Sequence, residues 1–129
     1  MSYFVLITFM HVFCHGRIGD APIKMRVLST DAERACGYQF EKDIPKPGEG
    51  LLFLFDEESS RHFHMNNVMF DLDLLGFDKN GHLVCFIPMK SGTQTLYKTP
   101  PVKYVVETSR GWLNGLKPER CALRVKKVV

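Results

Sequence analysis

Residues 62–77, HFHMNNVMFDLDLLGF, place two histidines, two asparagines and two aspartates inside an otherwise apolar run. Imidazole nitrogens and carboxylate oxygens are common ligands of zinc and other transition metals. Because His62 and His64 are two residues apart, both side chains would lie on one face of a strand, where Asp71 or Glu107 could supply a third ligand. One interpretation of the stretch is therefore a site for a divalent transition metal.

The same stretch also predicts a polar brace, structural or binding, between two strands. Alternation places Asp73 on a strand whose two faces are both largely apolar, so the strand should be covered on both sides. A buried carboxylate without a hydrogen-bond donor is costly. We predict that Asn67 and the backbone amides of the turn that begins at Asn66 satisfy Asp73 and fix the register. A glycosidase pair of Asp71 and Asp73 is a further alternative, but nothing marks a sugar cleft.

Other chemistry finds little support in the sequence. It contains no G-x-S-x-G nucleophile elbow, no GxGxxG loop and no Walker pattern. The four cysteines, at positions 14, 36, 85 and 121, form no CxxC pair, so they suit either small core residues or two disulfides. A net charge of +3, from 17 basic and 14 acidic residues, is too small to indicate nucleic-acid binding. The sequence favours no cofactor other than the metal considered above.

Periodicity and turn residues predict a β-rich domain that would position this stretch. A length of 129 residues suits one core, and a hydrophobic fraction of 45% with 24% charged residues is typical of globular proteins. Turns are expected at DEESS and at Asn80-Gly81, and one helical turn is expected to end at Gly115. Strands are predicted at 23–29, 51–55, 61–67, 70–77, 82–89, 102–107 and 121–128.

A short helix is predicted near residues 30–37. Thr30 and Glu33 form a capping box, and Gly37 stands where a left-handed C-terminal residue belongs. The expected fold class is mainly β, or β-rich α+β. It is a single compact, barrel-like or strongly bent antiparallel sheet with this one helix.

The first twenty residues are expected to form an apolar N-terminal arm or strand, followed by a domain over 21–129. The arm is too short to span a bilayer as a helix, and it resembles a secretory signal without its basic start. An apolar strand needs a partner, so the arm would join either the domain's own sheet or another subunit. The predicted interface residues of this arm are Phe4, Leu6, Phe9 and Val12.

The order of motifs resembles the domain of unknown function 192 family, also called uncharacterised protein family 0127. Its members show an ER-x-x-GL helix, EGMLF-like and WMKNT-like segments, a PLDILF-like strand, a D-x-x-G hairpin and a YVLE-x-x-x-G segment. The resemblance covers roughly residues 23–128. The counterparts here are Glu33, Arg34 and Gly37; 49–53; 64–68; 72–75; Asp78 and Gly81; and 104–107 with Gly111.

This resemblance implies a fold and a polar cluster, but no substrate, because the family has no established reaction. His64, Asn66 and Val68 replace the family's Trp, Lys and Thr, so a metal site at His64 would be specific to this chain. Many members carry export signals and some are encoded by viruses of bacteria, so export and a viral particle both stay open as locations.

Taken together, the patterns favour a small β-rich module that binds or assembles rather than catalyses. Its partners would be protein subunits, of its own or another kind, contacted through the N-terminal arm. Such a module would suit a structural or accessory protein of a phage particle. The alternatives are a metal-dependent enzyme centred on His62, His64 and a carboxylate, and an exported domain.

Overall fold

A computed structural model describes residues 12–115 and 122–128 of the chain. The fold is mostly β, with one short helix, as the sequence predicts. The elements are β1 (Val12–Ile18), β2 (Ala21–Leu28), α1 (Asp31–Cys36), β3 (Glu49–Phe63), β4 (Leu72–Phe77), β5 (Leu83–Met89), β6 (Tyr97–Ser109) and β7 (Leu123–Val128).

The seven strands form one curled sheet in the order β5-β4-β6-β3-β2-β1-β7. All neighbouring pairs are antiparallel except β2 and β3, which run parallel. Parallel neighbours need a crossover connection, and α1 lies within the one that joins β2 to β3. The predicted bent, barrel-like sheet is confirmed; it is antiparallel, as predicted, except at the β2–β3 pair.

The curl brings the two ends of the strand order towards each other. Gly81, in the turn before β5, accepts a 2.8 Å hydrogen bond from the amide of Leu123 at the start of β7. Gly81 has a φ of 81°, and a Cβ there would lie 2.8 Å from the Leu123 carbonyl oxygen. A glycine at this turn therefore permits both the left-handed backbone and the close approach of β7.

Both faces of the sheet are covered by apolar residues. The helix-side core includes Leu51, Phe53, Phe63, Leu72, Leu74 and Val105. The opposite core includes Cys14, Met25, Leu52, Leu75, Phe77 and Val106. Neighbouring residues of one strand enter different cores because strand side chains alternate. Every residue of β4 is buried, which confirms that this strand is covered on both sides.

The predicted helix is confirmed at its N-terminus. The Thr30 hydroxyl accepts a 3.1 Å hydrogen bond from the Glu33 amide, and the Glu33 carboxylate accepts one of 3.0 Å from the Thr30 amide. Gly37 ends the helix with a φ of 50°. α1 itself contains no buried residue, so its position depends on these caps and on the polar contacts of its side chains.

Two predicted boundaries along β3 are wrong. DEESS does not turn the chain, because β3 runs on from Glu49 to Phe63 and only its register against β6 shifts, between Leu54 and Ser59. The acidic residues are accommodated in an exposed bulge of one long strand. The strand predicted at 61–67 ends at Phe63, and Asn67 adopts a φ of 58°, which belongs to a turn.

The segment around Gly115 also differs from the prediction. Residues 110–115 form hydrogen-bonded turns, not a helical turn: the Trp112 amide donates to Ser109, and the Asn114 amide donates to Gly111. Strand β6 is longer than the 102–107 expected.

Part of the predicted N-terminal arm belongs to the domain's own sheet. β1 pairs with β2 through a turn at Gly19 and Asp20, and with β7 on its other side. Val12 opens β1 opposite Val27 and is 42% exposed. The remaining predicted interface residues, Phe4, Leu6 and Phe9, lie outside the described residues.

Candidate functional site

A cavity of about 380 Å³ lies between α1, the middle of β3 and the helix-side face of β6. Its size is within the range of pockets that hold small molecules. Aromatic rings form much of its wall, with Phe63 edge-on to Phe53 at 5.3 Å and to Phe55 at 6.5 Å between ring centroids. The charged and polar side chains that line it are Asp31, Arg34, Tyr38, Gln39, Arg61, His62, His64 and Glu107.

Glu107 occupies a buried position in this cavity. It lies on the helix-side face of β6, opposite Leu51 on one side and Leu74 on the other, and only 4% of it is exposed. Among the described residues, no group hydrogen-bonds or ion-pairs with its carboxyl. Burial alone raises the pKa of Glu107 to about 8, so the acid is largely neutral at pH 7.

The end of α1 brings the backbone close to this carboxyl. A Cβ added to Gly37 would lie 3.5 Å from Cζ of Phe53 and 3.9 Å from Oε1 of Glu107. Tyr38 follows, is buried, and lines the same cavity. Burial, reinforced by the Glu107 carboxylate once that group ionises at high pH, raises the pKa of Tyr38, which therefore stays a neutral phenol.

Two arginines stack on one ring at the edge of the cavity. The guanidinium carbons of Arg34 and Arg61 lie 5.2 Å and 4.1 Å from the Phe55 ring centroid. Arg34 is held by hydrogen bonds to the carbonyls of Ser29 and Leu54, at 2.6 Å and 2.8 Å, and it pairs with Asp31 at 2.7 Å. These contacts tie α1 to β3 and fix one guanidinium beside the cavity.

Arg61 is less completely partnered. Its Nη2 donates to the Glu57 carbonyl at 2.8 Å. Its Nε is buried and has no hydrogen-bond acceptor among the described residues. No ion pair to Arg61 occurs in the part of the chain that the structure describes. The cation has thus lost part of its hydration without gaining a counterion.

The predicted metal ligands do not converge. His62 and His64 are exposed residues that line the cavity, and the Asn66 amide donates to Nδ1 of His64 at 3.2 Å. Asp71 is engaged elsewhere, accepting a 2.8 Å hydrogen bond from the Ser91 amide. Within residues 12–115 and 122–128, no three His, Cys, Asp or Glu side chains form a group that could hold a metal.

Asp73 and Asn67, the residues of the predicted polar brace, have partners other than each other. Asp73 is buried, as expected, at 1% exposure. Its Oδ2 accepts a 2.7 Å hydrogen bond from the Gly111 amide, and the Arg110 Nε lies 3.3 Å from Oδ1 without hydrogen-bond geometry. The Asn67 side chain instead donates to Gln39 at 3.1 Å. The proposed Asn67–Asp73 pairing is therefore corrected, because Asp73 faces the opposite core.

In the sequence, Glu107 stands out as an alternative metal ligand and as part of the YVLE-like motif, whereas neither Arg61 nor Tyr38 is indicated as a site residue. The available signal for Glu107 was its position directly after Val105 and Val106 in an apolar strand. Because strand side chains alternate, Glu107 shares a face with Val105, and that face should be buried. Arg61 carried no signal of its own, because its stacking on Phe55 depends on the bulge in β3. The three cysteines that the structure describes, Cys14, Cys36 and Cys85, are free.

Comparison with known proteins places the chain by family and fold. The family model DUF192, described as an uncharacterized ACR, matches residues 14–120. A search of curated proteins found no match. Among the part of the chain that the structure describes, no helix is long and apolar enough to cross a membrane.

Two solved structures share the fold. One is a candidate transcription regulator from Sinorhizobium meliloti 1021, with a TM-score of 0.77 and 18% identity, over 93% of this chain and 95% of that one. The other is a protein of unknown function from Novosphingobium aromaticivorans DSM 12444, with a TM-score of 0.74 and 22% identity, over 91% and 84%. At these identities the likeness concerns the fold alone.

Proposed function

This chain belongs to the DUF192 family, and because that family is uncharacterized we propose its function from the geometry of the cavity. The protein is a binding module that holds one small molecule between α1 and the sheet. Glu107 is the group that orients the molecule, and the aromatic wall supplies most of the contact area.

The observation that carries this proposal is the unpartnered carboxyl of Glu107. Buried polar side chains almost always have hydrogen-bond partners, because an unmet one costs free energy. Asp73, the other buried acid of the sheet, differs, since the Gly111 amide donates to its Oδ2 and the Arg110 guanidinium lies within ion-pair distance of its Oδ1. Glu107 has no comparable contact among the described residues and yet borders a cavity. A bound molecule would supply the missing partner, and perturbed acids in clefts are typical of functional sites.

A binding role agrees with the binding or assembly function expected from the sequence. Assembly through the N-terminal arm, in a phage particle or elsewhere, stays a prediction, as do the exported and metal-dependent alternatives.

The test is a small-molecule screen read by thermal shift, followed by calorimetry on each compound that stabilises the protein. Binders should lose affinity in Glu107→Leu, which keeps a similar size but removes the hydrogen-bonding group, and in Ala35→Trp, which fills the cavity from the exposed face of α1. Glu57→Leu is the matched control, because it makes the same chemical change at an exposed position. Binders that tolerate both cavity variants would place the site elsewhere and refute the proposal.

A further inference from the structure

We propose that the bound molecule is a planar organic anion, with its charged group at Arg34 and Arg61 and an uncharged hydrogen-bond acceptor against Glu107. This inference rests on the proposed function and names the class of ligand that the site selects. It is carried by three features of the cavity: its wall, its buried acid and the charges beside it.

The wall favours a flat, apolar body. Phe53, Phe55 and Phe63 present rings in edge-to-face arrangements, with interplanar angles of 86° for both contacts. Aromatic pairs of this kind gain free energy beyond the area they bury, and a ring inserted among them would extend the arrangement. A volume of about 380 Å³ suits a molecule with a single ring system better than an extended polymer.

The buried acid favours an uncharged group at the inner end of that molecule. A neutral carboxyl offers one O–H donor and a carbonyl oxygen that accepts, so a carbonyl or amide edge can use it well. Burial raises the pKa of Glu107 to about 8, which keeps this donor in place at pH 7. A cationic group would instead require an ionised, desolvated pair, whose Coulomb gain often fails to exceed its desolvation cost.

The charges beside the cavity favour an anionic outer end. Arg34 and Arg61 are the two cations fixed on Phe55, and the carboxylate that pairs with Arg34, that of Asp31, is fully exposed to water. Arg61 has no counterion among the described residues and is already held by its stacking and by the Glu57 carbonyl. Guanidinium groups match carboxylate and phosphate oxygens in geometry, and a pre-positioned one loses less entropy on binding.

The experiment uses calorimetry at pH 7 with four probes of one shape. Para-acetamidobenzoate carries both the anion and the amide. Its methyl ester lacks the anion, para-isopropylbenzoate lacks the amide, and para-acetamidobenzylamine reverses the charge. We expect para-acetamidobenzoate to bind about tenfold more tightly than the ester, which lacks the charge-assisted hydrogen bond, and about tenfold more tightly than the isopropyl compound, which lacks the hydrogen bond to the buried carboxyl. Each of these hydrogen bonds contributes a free energy that corresponds to about tenfold in affinity. The amine should bind most weakly.

The variants separate the two ends of the molecule. Arg61→Gln should reduce the advantage of the acid over the ester, since only Arg34 then remains beside the anion, whereas Arg17→Gln, which removes the same charge from β1 away from the cavity, should preserve it. Glu107→Leu, which removes both the donor and the acceptor, should reduce the advantage of the amide over the isopropyl group. Together these results would support the inference.

Other outcomes overturn it in distinguishable ways. If the ester or the amine binds at least as tightly as the acid, and Ala35→Trp blocks that binding, the inference is wrong while the proposed function stands. The same holds if library compounds of other classes bind in the cavity but none of the four probes does. If no compound of any kind responds to Glu107→Leu or Ala35→Trp, both proposals are wrong.

Discussion

Oδ2 of Asp73 accepts a 2.7 Å hydrogen bond from the backbone amide of Gly111. The contact joins the middle of the sheet to the turn that follows β6, across 38 positions of the chain. Arg110, half exposed, balances the buried charge from the same turn. In this chain the contact joins the segment 72–75 to the segment that runs from 104 to Gly111, the two stretches that resemble the LDIL-like and YVLE-x-x-x-G motifs.

We expect Asp73→Ala to lower the free energy of unfolding by about 2 to 4 kcal/mol, because it leaves the Gly111 amide unsatisfied and Arg110 without its carboxylate. Asp73→Asn, which keeps an acceptor but not the charge, should cost less. Urea denaturation followed by circular dichroism measures both. Asp20→Ala in the exposed β1–β2 turn is the control and should change stability by less than about 0.5 kcal/mol. A cost below about 1 kcal/mol for Asp73→Ala would contradict the brace.

The buried acid makes stability depend on pH in a predictable direction. The folded-state pKa of Glu107, about 8, lies above the value of 4.5 taken for an unperturbed side chain. Between these values the folded protein holds one more proton than the unfolded chain, so this group's contribution to stability is present below pH 4.5 and is lost as pH rises through 8. The slope is about 1.4 kcal/mol per pH unit.

We therefore expect Glu107→Gln to become more stable relative to the wild type as pH rises from 5 to 8.5. Denaturation midpoints of the two proteins at several pH values measure this, and Glu57→Gln should show no such trend. The other titratable groups around the cavity, Asp31, Cys36, Tyr38, His62 and His64, are common to both proteins, so their contributions largely cancel in the comparison. Parallel stability curves for wild type and Glu107→Gln would show that Glu107 titrates normally.

Loss of the capping box of α1 should lower the free energy of unfolding by less than loss of Asp73 does. Thr30→Ala should reduce stability by about 1 kcal/mol, because the Glu33 amide loses its side-chain acceptor. It should also weaken binding in the cavity, since α1 carries Arg34. Ser29→Ala, a neighbouring change outside the cap, is the control. Thermal denaturation and calorimetry on the same samples test both effects; a loss of stability with unchanged affinity would show that α1 does not position the site.

Assembly through the N-terminal arm can be tested with a truncation that leaves every strand of the sheet in place. A deletion of residues 1–20 would remove β1 and with it the pairing to β2 and β7, so the deletion should stop at residue 11. If the arm contacts subunits, full-length protein should form oligomers in native mass spectrometry and the shortened protein should remain folded as a monomer. Identical assembly states for both would contradict the predicted interface.

Features that depend on residues close together in the sequence could be predicted, whereas features that depend on residues far apart could not. The capping box and the burial of β4 follow from spacing within a few residues, and both predictions are confirmed. The partners of Asp73 could not be found in this way, because they come from the turn after β6. The cavity could not be predicted for a related reason: it forms where the β2–β3 crossover brings Gly37 close to Phe53 and Glu107, and where β3 continues past its acidic residues.

The lack of any buried residue in α1 has a consequence for how a molecule could enter. Lifting the helix would break its caps and the polar contacts of Arg34, but it would remove no side chain of α1 itself from a hydrophobic core. Such sub-global openings need less free energy than unfolding of the whole sheet. We therefore expect the amides of α1 to exchange with solvent deuterium well before those of β4, a result that would reveal an opening through which Glu107 can be reached.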